Sequence, residues 1–414
     1  MTESMLCELA DHINVPIEHI RRINMYNAGD VTPFSQPLLA EDWNVPRMWD
    51  QLEREAEVAV RRAEIDEFNR TTQFRKRGLA MVPTKFGISF GVKHLNQGMS
   101  LVHVYMDGSV LVAHGGTEMG QGLHTKMAQI AAETLDVPLS TIFISETATN
   151  TAANTSPTAA SASSDLNGYA VYNACKVLAD RLRPYRERMH DASFATIAKT
   201  AYLDRVKLSE AGHYATPDIG FSWAENSGLL YFYFTQGVAL AEVELDVLTG
   251  SHTTRRVDII MDVGRSLNKA IDIGQIEGAF AQGQGWCTTE EFLYSPATGR
   301  LLTQGPGNYK IPSALDIPRD LRVSLMEPEQ PNALKTIFSS KGIGEPPLFL
   351  GASVFFALRD AVMAARKNND AKSPLHMECP ATAEVLRMAC EDDIVELTRI
   401  PHEQRQGVPF AVRI

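Results

Sequence analysis

Cysteine is scarce and scattered: Cys7, Cys175, Cys287, Cys379 and Cys390 are the five in 414 residues, and no two form a Cys-x-x-Cys pair. That excludes a zinc ribbon or an iron–sulfur cluster supplied by this chain alone. An odd number of widely spaced thiols fits a reducing, cytoplasmic compartment better than a disulfide framework. Positive charge is also short. Lys and Arg number 39 against 50 Asp and Glu, for a net charge of −11, and no basic stripe is present, which argues against nucleic-acid binding. No run approaches the ~20 consecutive apolar residues of a membrane span. Residues 1–20 lack the basic-then-apolar order of a secretory signal, since Glu3, Glu8 and Asp11 interrupt them. What is left, 44% hydrophobic and 21% charged, is an ordinary globular composition, long enough for about two to four compact units.

Periodicity organises the chain. Residues 4–13 read as an amphipathic helix with Met5, Leu9 and Ile13 on one face, and residues 46–70 as one long charged helix striped by Trp49, Leu52, Ala56 and Ala59. Strand-like runs follow at 87–92, 100–106 and 110–114, with Asp107-Gly108 as a hairpin turn between the last two. A glycine-rich turn, Gly115 to Gly122, leads to a helix reaching about Thr134 and then a strand at 141–145. A similar order recurs. Strands at 236–245 and 253–262 precede Asp272-Ile-Gly-Gln275, and a helix runs on to about Trp286. This predicts a mixed α+β fold of two related lobes. Residues 1–150 form the first, 231–414 the second with the Glu345 turn and terminal helices, and 151–230 a small-residue loop and helical segment. The stretch 150–164, rich in Thr, Ser, Ala and Asn, reads either as disorder or as backbone that lets a bulky polar ligand approach closely.

Four motifs carry chemistry. In Gly344-Glu-Pro-Pro-Leu-Phe-Leu350 the prolines fix φ, remove N–H donors and push Glu345 toward extended geometry, ahead of a helix over 352–365. A carboxyl on a stiff, apolar-walled turn suits proton uptake; the plainer reading is a charge at a helix entrance. Gly87-Ile-Ser-Phe-Gly91 imitates a hydrolase nucleophile elbow, but no helix follows Ser89, and the His114-Gly-Gly116 loop comes after it rather than before. Gly120-Gln-Gly122 and Gly283-Gln-Gly285 lack dinucleotide spacing. Each sets a primary amide beside backbone N–H groups near a helix, which is either a tight turn or a seat for an anionic ligand. With Ala159, Ala160 and Ser161 they suggest a phosphate- or oxo-rich cofactor. Phe90 is either core or a ring for stacking a flat substrate.

Taken together, Gly115–Lys126, Asn154-Thr-Ser-Pro-Thr-Ala-Ala160, Asp272-Ile-Gly-Gln-Ile-Glu-Gly278 and Gly344–Leu350 closely resemble, in order, the molybdenum-binding part of the xanthine dehydrogenase family. Aldehyde oxidases share that fold but differ after the catalytic glutamate, where Pro346-Pro347 favours a purine hydroxylase. The resemblance implies a two-lobed domain binding a molybdenum–molybdopterin cofactor. The metal is held by the pterin dithiolene, with Ala160 beside it and no side-chain ligand. Glu345 matches the general base. Gly120, Gln121, Ala159, Ser161 and Gln275 fall at cofactor-contacting positions, and Phe90 matches a ring against the purine. Gly91 stands where animal members commonly carry threonine, which widens the pocket. The implied reaction hydroxylates hypoxanthine and xanthine to urate with water as oxygen source. Electrons then leave through 2Fe-2S clusters and FAD, bound by other domains, to NAD. The family's iron–sulfur, flavin and first molybdenum domains, and the Glu and Arg that orient the purine, have no counterpart here. A cytoplasmic or peroxisomal homodimer is the implied setting. The rivals are an aldehyde oxidase-like hydroxylase and a truncated lobe that binds without catalysing.

Overall fold

A strand of 14 residues without polar alternation has to be covered on both faces, and residues 75–88 set the plan of one lobe. The computed structural model describes residues 1–327, 335–371, 373–398 and 411–413. Four helices come first: α1 (Thr2–Ile13), α2 (Ile17–Ile23), α3 (Val45–Glu55) and α4 (Val58–Thr71). On α1, Cys7 and Ala10 are buried, while Met5, Leu9 and Ile13 face outward, the reverse of the expected orientation. The pairs Arg21–Glu3 and Arg359–Asp11 tie the helix down on that other side. The single helix expected over 46–70 is broken where Glu57 takes a left-handed conformation, φ 52°. The break lets Trp49 and Leu52 on α3 and Ile65 on α4 pack on the same sheet face, against Leu79, Met81 and Val238.

The strands are β1 (Arg75–Ile88), β2 (Gln97–Val104), β3 (Val110–His114), β4 (Ile142–Ile144), β5 (Ser209–Ala215), β6 (Gly220–Ser222), β7 (Ser227–Leu229), β8 (Tyr233–Asp246), β9 (His252–Asp262), β10 (Leu293–Tyr294), β11 (Asp320–Leu325) and β12 (Val412–Arg413). Two four-stranded sheets, ordered β1-β8-β9-β11 and β4-β3-β2-β5, hold the cores; β6–β7 and β10–β12 are small ribbons. Helices α5 (Leu123–Leu135), α6 (Ser163–Arg188), α7 (Phe194–Leu203), α8 (Lys269–Thr288) and α9 (Ala352–Asn368) complete the lobes.

The repeat is realised as topology. In one lobe β2 and β3 pair antiparallel, α5 crosses over, β4 pairs parallel to β3, and α6 follows. In the other, β8 and β9 pair antiparallel, α8 crosses over, β11 pairs parallel to β9, and α9 follows. Only the fourth strand differs in origin, β5 coming after α6 and β1 before β8. The sheets therefore draw their strands across the segments 1–150, 151–230 and 231–414. Helix packing repeats too. A Cβ at Gly212 on β5 would lie 1.9 Å from the Ala170 carbonyl of α6, and one at Gly78 on β1 would lie 1.9 Å from the Ala357 carbonyl of α9. Both glycines exist to let a helix backbone touch a strand. Residues 346–368 are long and apolar enough to cross a membrane, but 72% of their most apolar 18-residue stretch is buried inside the protein, as befits a core helix.

Candidate functional site

Three loops at the carboxyl ends of the strands are knitted together. The first, 115–122, joins β3 to α5. Its turn needs left-handed backbone at Gly120 (φ 95°) and Gly122 (φ 75°). Glu118 does what sequence reasoning had left to a ligand. Its carboxylate accepts from the N–H groups of Gly120, Gly122 and His124 at 2.9, 3.0 and 2.9 Å, capping α5. Burial opposes that charge, but the three N–H bonds together hold the Glu118 carboxyl below its ordinary range. Gln121 also turns inward. Its amide donates to the Thr117 carbonyl (2.8 Å) and accepts from the Met119 N–H (2.5 Å). Beneath the turn, the buried His114 accepts from Gly116 N–H through Nδ1, so the neutral ring donates from Nε2 to Nδ1 of His124, 2.9 Å away. Burial, then the neighbouring His124, push His114 down to about 4.

The second loop, 145–162, is held in place. Thr117 N–H donates to Thr158 Oγ1 (2.8 Å), and Gly115 packs on Thr155, where a Cβ would come within 2.0 Å of Thr155 Cγ2. Ala160 and Ser161 both take φ 54°, a conformation disfavoured for residues with a Cβ. Ala159 is exposed and Ala160 half-buried.

The third loop carries Glu345. Its backbone is not extended: Glu345 sits at φ −93°, ψ −33°, at the head of a 3-10 turn, Pro346–Gly351, where prolines lack only N–H groups that a helix start would leave unpaired. Nor is it walled by apolar groups. Glu345 is exposed, Phe349 is 46% exposed, and Pro346, Pro347 and Leu350 point into the core. Ser161 links the second and third loops. Its Oγ donates to Glu345 Oε2 (2.9 Å) and accepts the Glu345 N–H (2.8 Å).

Deeper contacts fix the rest of that loop. Lys341, with its side chain 1% exposed, reaches Asp262 (2.7 Å), Asp42 (2.5 Å) and the Phe234 carbonyl (3.1 Å). Gly342 donates to the Tyr233 hydroxyl (2.7 Å), which in turn donates to Asp165 (2.7 Å). Burial raises the Asp165 carboxyl to about 6 against the opposing bonds from Tyr233 and Ile337.

The other expected residues fall as follows. Phe90 is half-buried and packs in a cluster with Ile88, Ala162, Leu166 and Tyr233, beside the second loop. Its backbone N–H and carbonyl are both tied to Asn96. Gly91 is exposed, and a Cβ there would meet only Leu230 Cδ1, at 3.7 Å, so a side chain fits. Ser89 Oγ donates to the Leu230 carbonyl and is buried, which is no place for a nucleophile. Asp272-Ile-Gly-Gln275 lies inside the first turns of α8 rather than ahead of it. Asp272 pairs with Lys126 of α5 at 2.6 Å, and Ile271 packs on Gly122, bringing the start of α8, with Gln275 one turn on, to the first loop. Gly283-Gln-Gly285 is mid-helix and structural. Gln284 is buried and donates to the Asp316 carbonyl, and Gly283 lets α8 touch the Leu348 carbonyl of the Glu345 turn. Sequence reasoning assigned no role to Glu118, Asp165, Tyr233 or Lys341, and His114 entered only as part of an oxyanion-like loop. Only Glu118 had a local signal, an acid in a glycine turn ahead of a helix.

The loops suit a bulky polar group. A Cβ at Gly120 in the first loop, or at Gly274 in the first turns of α8 beside it, would meet nothing within 4 Å, so the surface there is open to close approach. The model for the molybdopterin cofactor-binding domain matches residues 51–318. Xanthine dehydrogenase of Emericella nidulans is 58% identical over 402 residues, covering 97% of this chain and 29% of that protein. Nicotinate hydroxylase of the same organism is 51% identical over 420 residues, covering all of this chain and 30% of that one. Among solved structures, the aldehyde oxidoreductase of Desulfovibrio desulfuricans superposes with a TM-score of 0.76 at 25% identity, covering 94% of this chain and 40% of the other. The chain thus spans about 30% of the length of its curated relatives. By the family match over residues 51–318 and the fold it shares with these enzymes, the chain belongs to the molybdopterin cofactor-binding domain family.

Proposed function

We propose that this chain is the molybdopterin-binding region of a purine hydroxylase of the xanthine dehydrogenase type, with Glu345 as its base. The observation that carries the reading is the placing of Glu345: an exposed carboxylate at the head of a turn, held by Ser161 at both its N–H and its Oε2, facing the small-residue loop that Phe90 flanks. When bound, the molybdenum–molybdopterin cofactor supplies the two-electron oxidation. The residues around it prepare the reactants. Glu345 takes the proton from the oxygen nucleophile as it attacks the purine carbon. Phe90 offers a ring face to the flat substrate, and Gly91 leaves room beside it. Gly120, Ala159 and Ala160 give the cofactor close access to backbone, and Gln121 and Gln275 stand at the same rim. Groups that orient the purine, the 2Fe-2S and FAD centres that carry electrons to NAD, and a dimer partner belong to the rest of a longer cytoplasmic protein in this reading.

The test uses the native molybdenum-containing protein that holds this chain, assayed on xanthine, hypoxanthine, nicotinate and an aromatic aldehyde. Glu345→Gln should lower kcat on xanthine by about 10²–10⁴ with molybdenum content unchanged. Undiminished turnover would remove Glu345 from the role of base. Turnover of nicotinate or aldehyde in preference to purines would move the substrate class. A protein without molybdenum or turnover would support the non-catalytic reading.

A further inference from the structure

We propose that Ser161 and Tyr233 are positioning residues for Glu345, Ser161 fixing its side chain and Tyr233 its backbone. The proposal rests on the reading of Glu345 as the base.

The Ser161 hydroxyl does two jobs with one oxygen: it accepts the Glu345 N–H and donates to the Glu345 carboxylate. Both ends of the residue are therefore tied to one atom, which selects a single side-chain rotamer from those a free glutamate samples. The loop is shaped for this contact. Ser161 holds φ 54° directly after Ala160 at φ 54°. Consecutive left-handed residues with a Cβ persist only where surroundings enforce them, typically at functional sites. Here the enforcing contacts are glycines of the Glu345 loop. A Cβ at Gly342 would come within 2.4 Å of the Ser161 carbonyl, and one at Gly344 within 3.3 Å of its hydroxyl. Any side chain at Gly342 would push Ser161 off its target.

Tyr233 acts from below. Its hydroxyl accepts the Gly342 N–H and donates to the buried Asp165, while Thr235 donates to the Gly342 carbonyl at 2.7 Å. Both backbone groups of Gly342 are thus engaged, three residues before Glu345. Asp165 is the third residue of α6, the helix that the Ser161 loop enters. One rigid helix start therefore governs both approaches to the base.

The test uses the native molybdenum-loaded protein with Ser161→Ala and Tyr233→Phe. Each should lower kcat by about 10- to 100-fold, as expected when a reacting group drifts by roughly an ångström. KM for xanthine should stay within about twofold, because no substrate contact is removed. A crystal structure of Ser161→Ala should show the Glu345 carboxylate displaced, a readout that a generally structural role would not move. A kcat for Ser161→Ala equal to that of the parent, or a Glu345 side chain still in place, overturns the proposal. Where Tyr233→Phe fails to retain molybdenum, Ser161→Ala alone decides. Glu345→Gln in parallel separates the two ideas: full activity there would sink the base assignment, while the displaced carboxylate in Ser161→Ala would still report positioning.

Discussion

The contact between α8 and the Glu345 turn can be tested with two alanines on one helix. Gly283 sits where a Cβ would lie 1.9 Å from the Leu348 carbonyl, 2.9 Å from its carbon and 3.3 Å from Gly351 Cα. Five residues earlier, Gly278 is exposed and a Cβ would meet nothing within 4 Å. Replacing glycine by alanine in a helix should by itself stabilise by about 0.5–1 kcal/mol, through lost freedom of the unfolded chain. Gly278→Ala should show that gain. At Gly283 the same gain is opposed by overlap. Bringing 1.9 Å to the roughly 3.0 Å below which real Cβ contacts are not found requires the helix to back away by about 1.1 Å, and the neighbour is backbone that has no rotamer to change. Overpacking of that kind costs about 1–3 kcal/mol, so after the helical gain is counted Gly283→Ala should be destabilised by up to about 2.5 kcal/mol, where Gly278→Ala is stabilised. The assay is urea unfolding of the purified chain, comparing midpoints of the two variants with the parent. On the proposed reading of Glu345 as the base, the same shift moves the turn that begins there, and an ångström should lower kcat of the full molybdenum-containing protein about 100-fold. Gly283→Ala and Gly278→Ala with equal midpoints would refute the close approach, and with it the claim that α8 sets the height of the turn.

The remaining predictions concern buried charge and thiols. Lys341→Met leaves the buried Asp262 and the half-buried Asp42 without their cation and should cost about 3–5 kcal/mol by urea unfolding, a loss under about 1 kcal/mol contradicting the ion triad. Asp165, raised to about 6, contributes stability that is full below its unfolded value and lost as pH rises through 6. Relative to Asp165→Asn, the parent should therefore gain about 1 kcal/mol on going from pH 7 to pH 5. His114, lowered to about 4, works in the opposite sense, losing stability as pH falls below its unfolded value. The difference between parent and variant is thus the quantity to measure, and equal slopes would reject the Asp165 shift. Cys379 is exposed and held below the usual thiol range by the Cys287 thiol, whereas burial pushes Cys175 up to about 12 and Cys390 up to about 11. Limited iodoacetamide with peptide mass spectrometry should mark Cys379 first, and comparable labelling of Cys175 would refute the burial pattern.

Local signals were readable and tertiary ones were not. The hairpin at Asp107-Gly108 and the strand 110–114 lay open in the sequence because turn chemistry and alternation act over a few residues. The first twelve residues of β1 were not. Lys76, Pro83 and Lys85 disguise it, yet β1 is an edge strand, the one place where a proline's missing N–H breaks no ladder. Lys76 is buried, its amine folded back onto the Asn69 and Thr72 carbonyls. The break at Glu57 has neither glycine nor proline to announce it and follows only from what both helices must cover. In the site, Glu345 could be singled out because it sits in a long motif, and Ser161 and Phe90 because they sit in short local patterns of small residues and glycines. Asp165 and Tyr233 were missed because their roles exist only across segments 68 residues apart.

The repeat shows why the site lies where it does, and why its sequence signal was misleading. Gly120-Gln121 and Gly274-Gln275 look like counterparts, but the first precedes α5 and the second lies within α8. The true counterparts are set by topology. Lys126 and Asp272 are each the fourth residue of the crossover helix in their lobe, and they pair with each other. Ser161 lies in the connection from β4 to α6, and Glu345 in the equivalent connection from β11 to α9. Their hydrogen bonds join one lobe to the other at matching places. Crossover folds leave crevices beyond the carboxyl ends of their strands, where ligands bind. Two such crevices facing each other give one site with loops from both lobes, and neither lobe alone could place a carboxylate against a hydroxyl across it. A change that tilts one lobe, such as neutralising the Lys126–Asp272 pair, should therefore disturb Glu345 without touching any of its contacts.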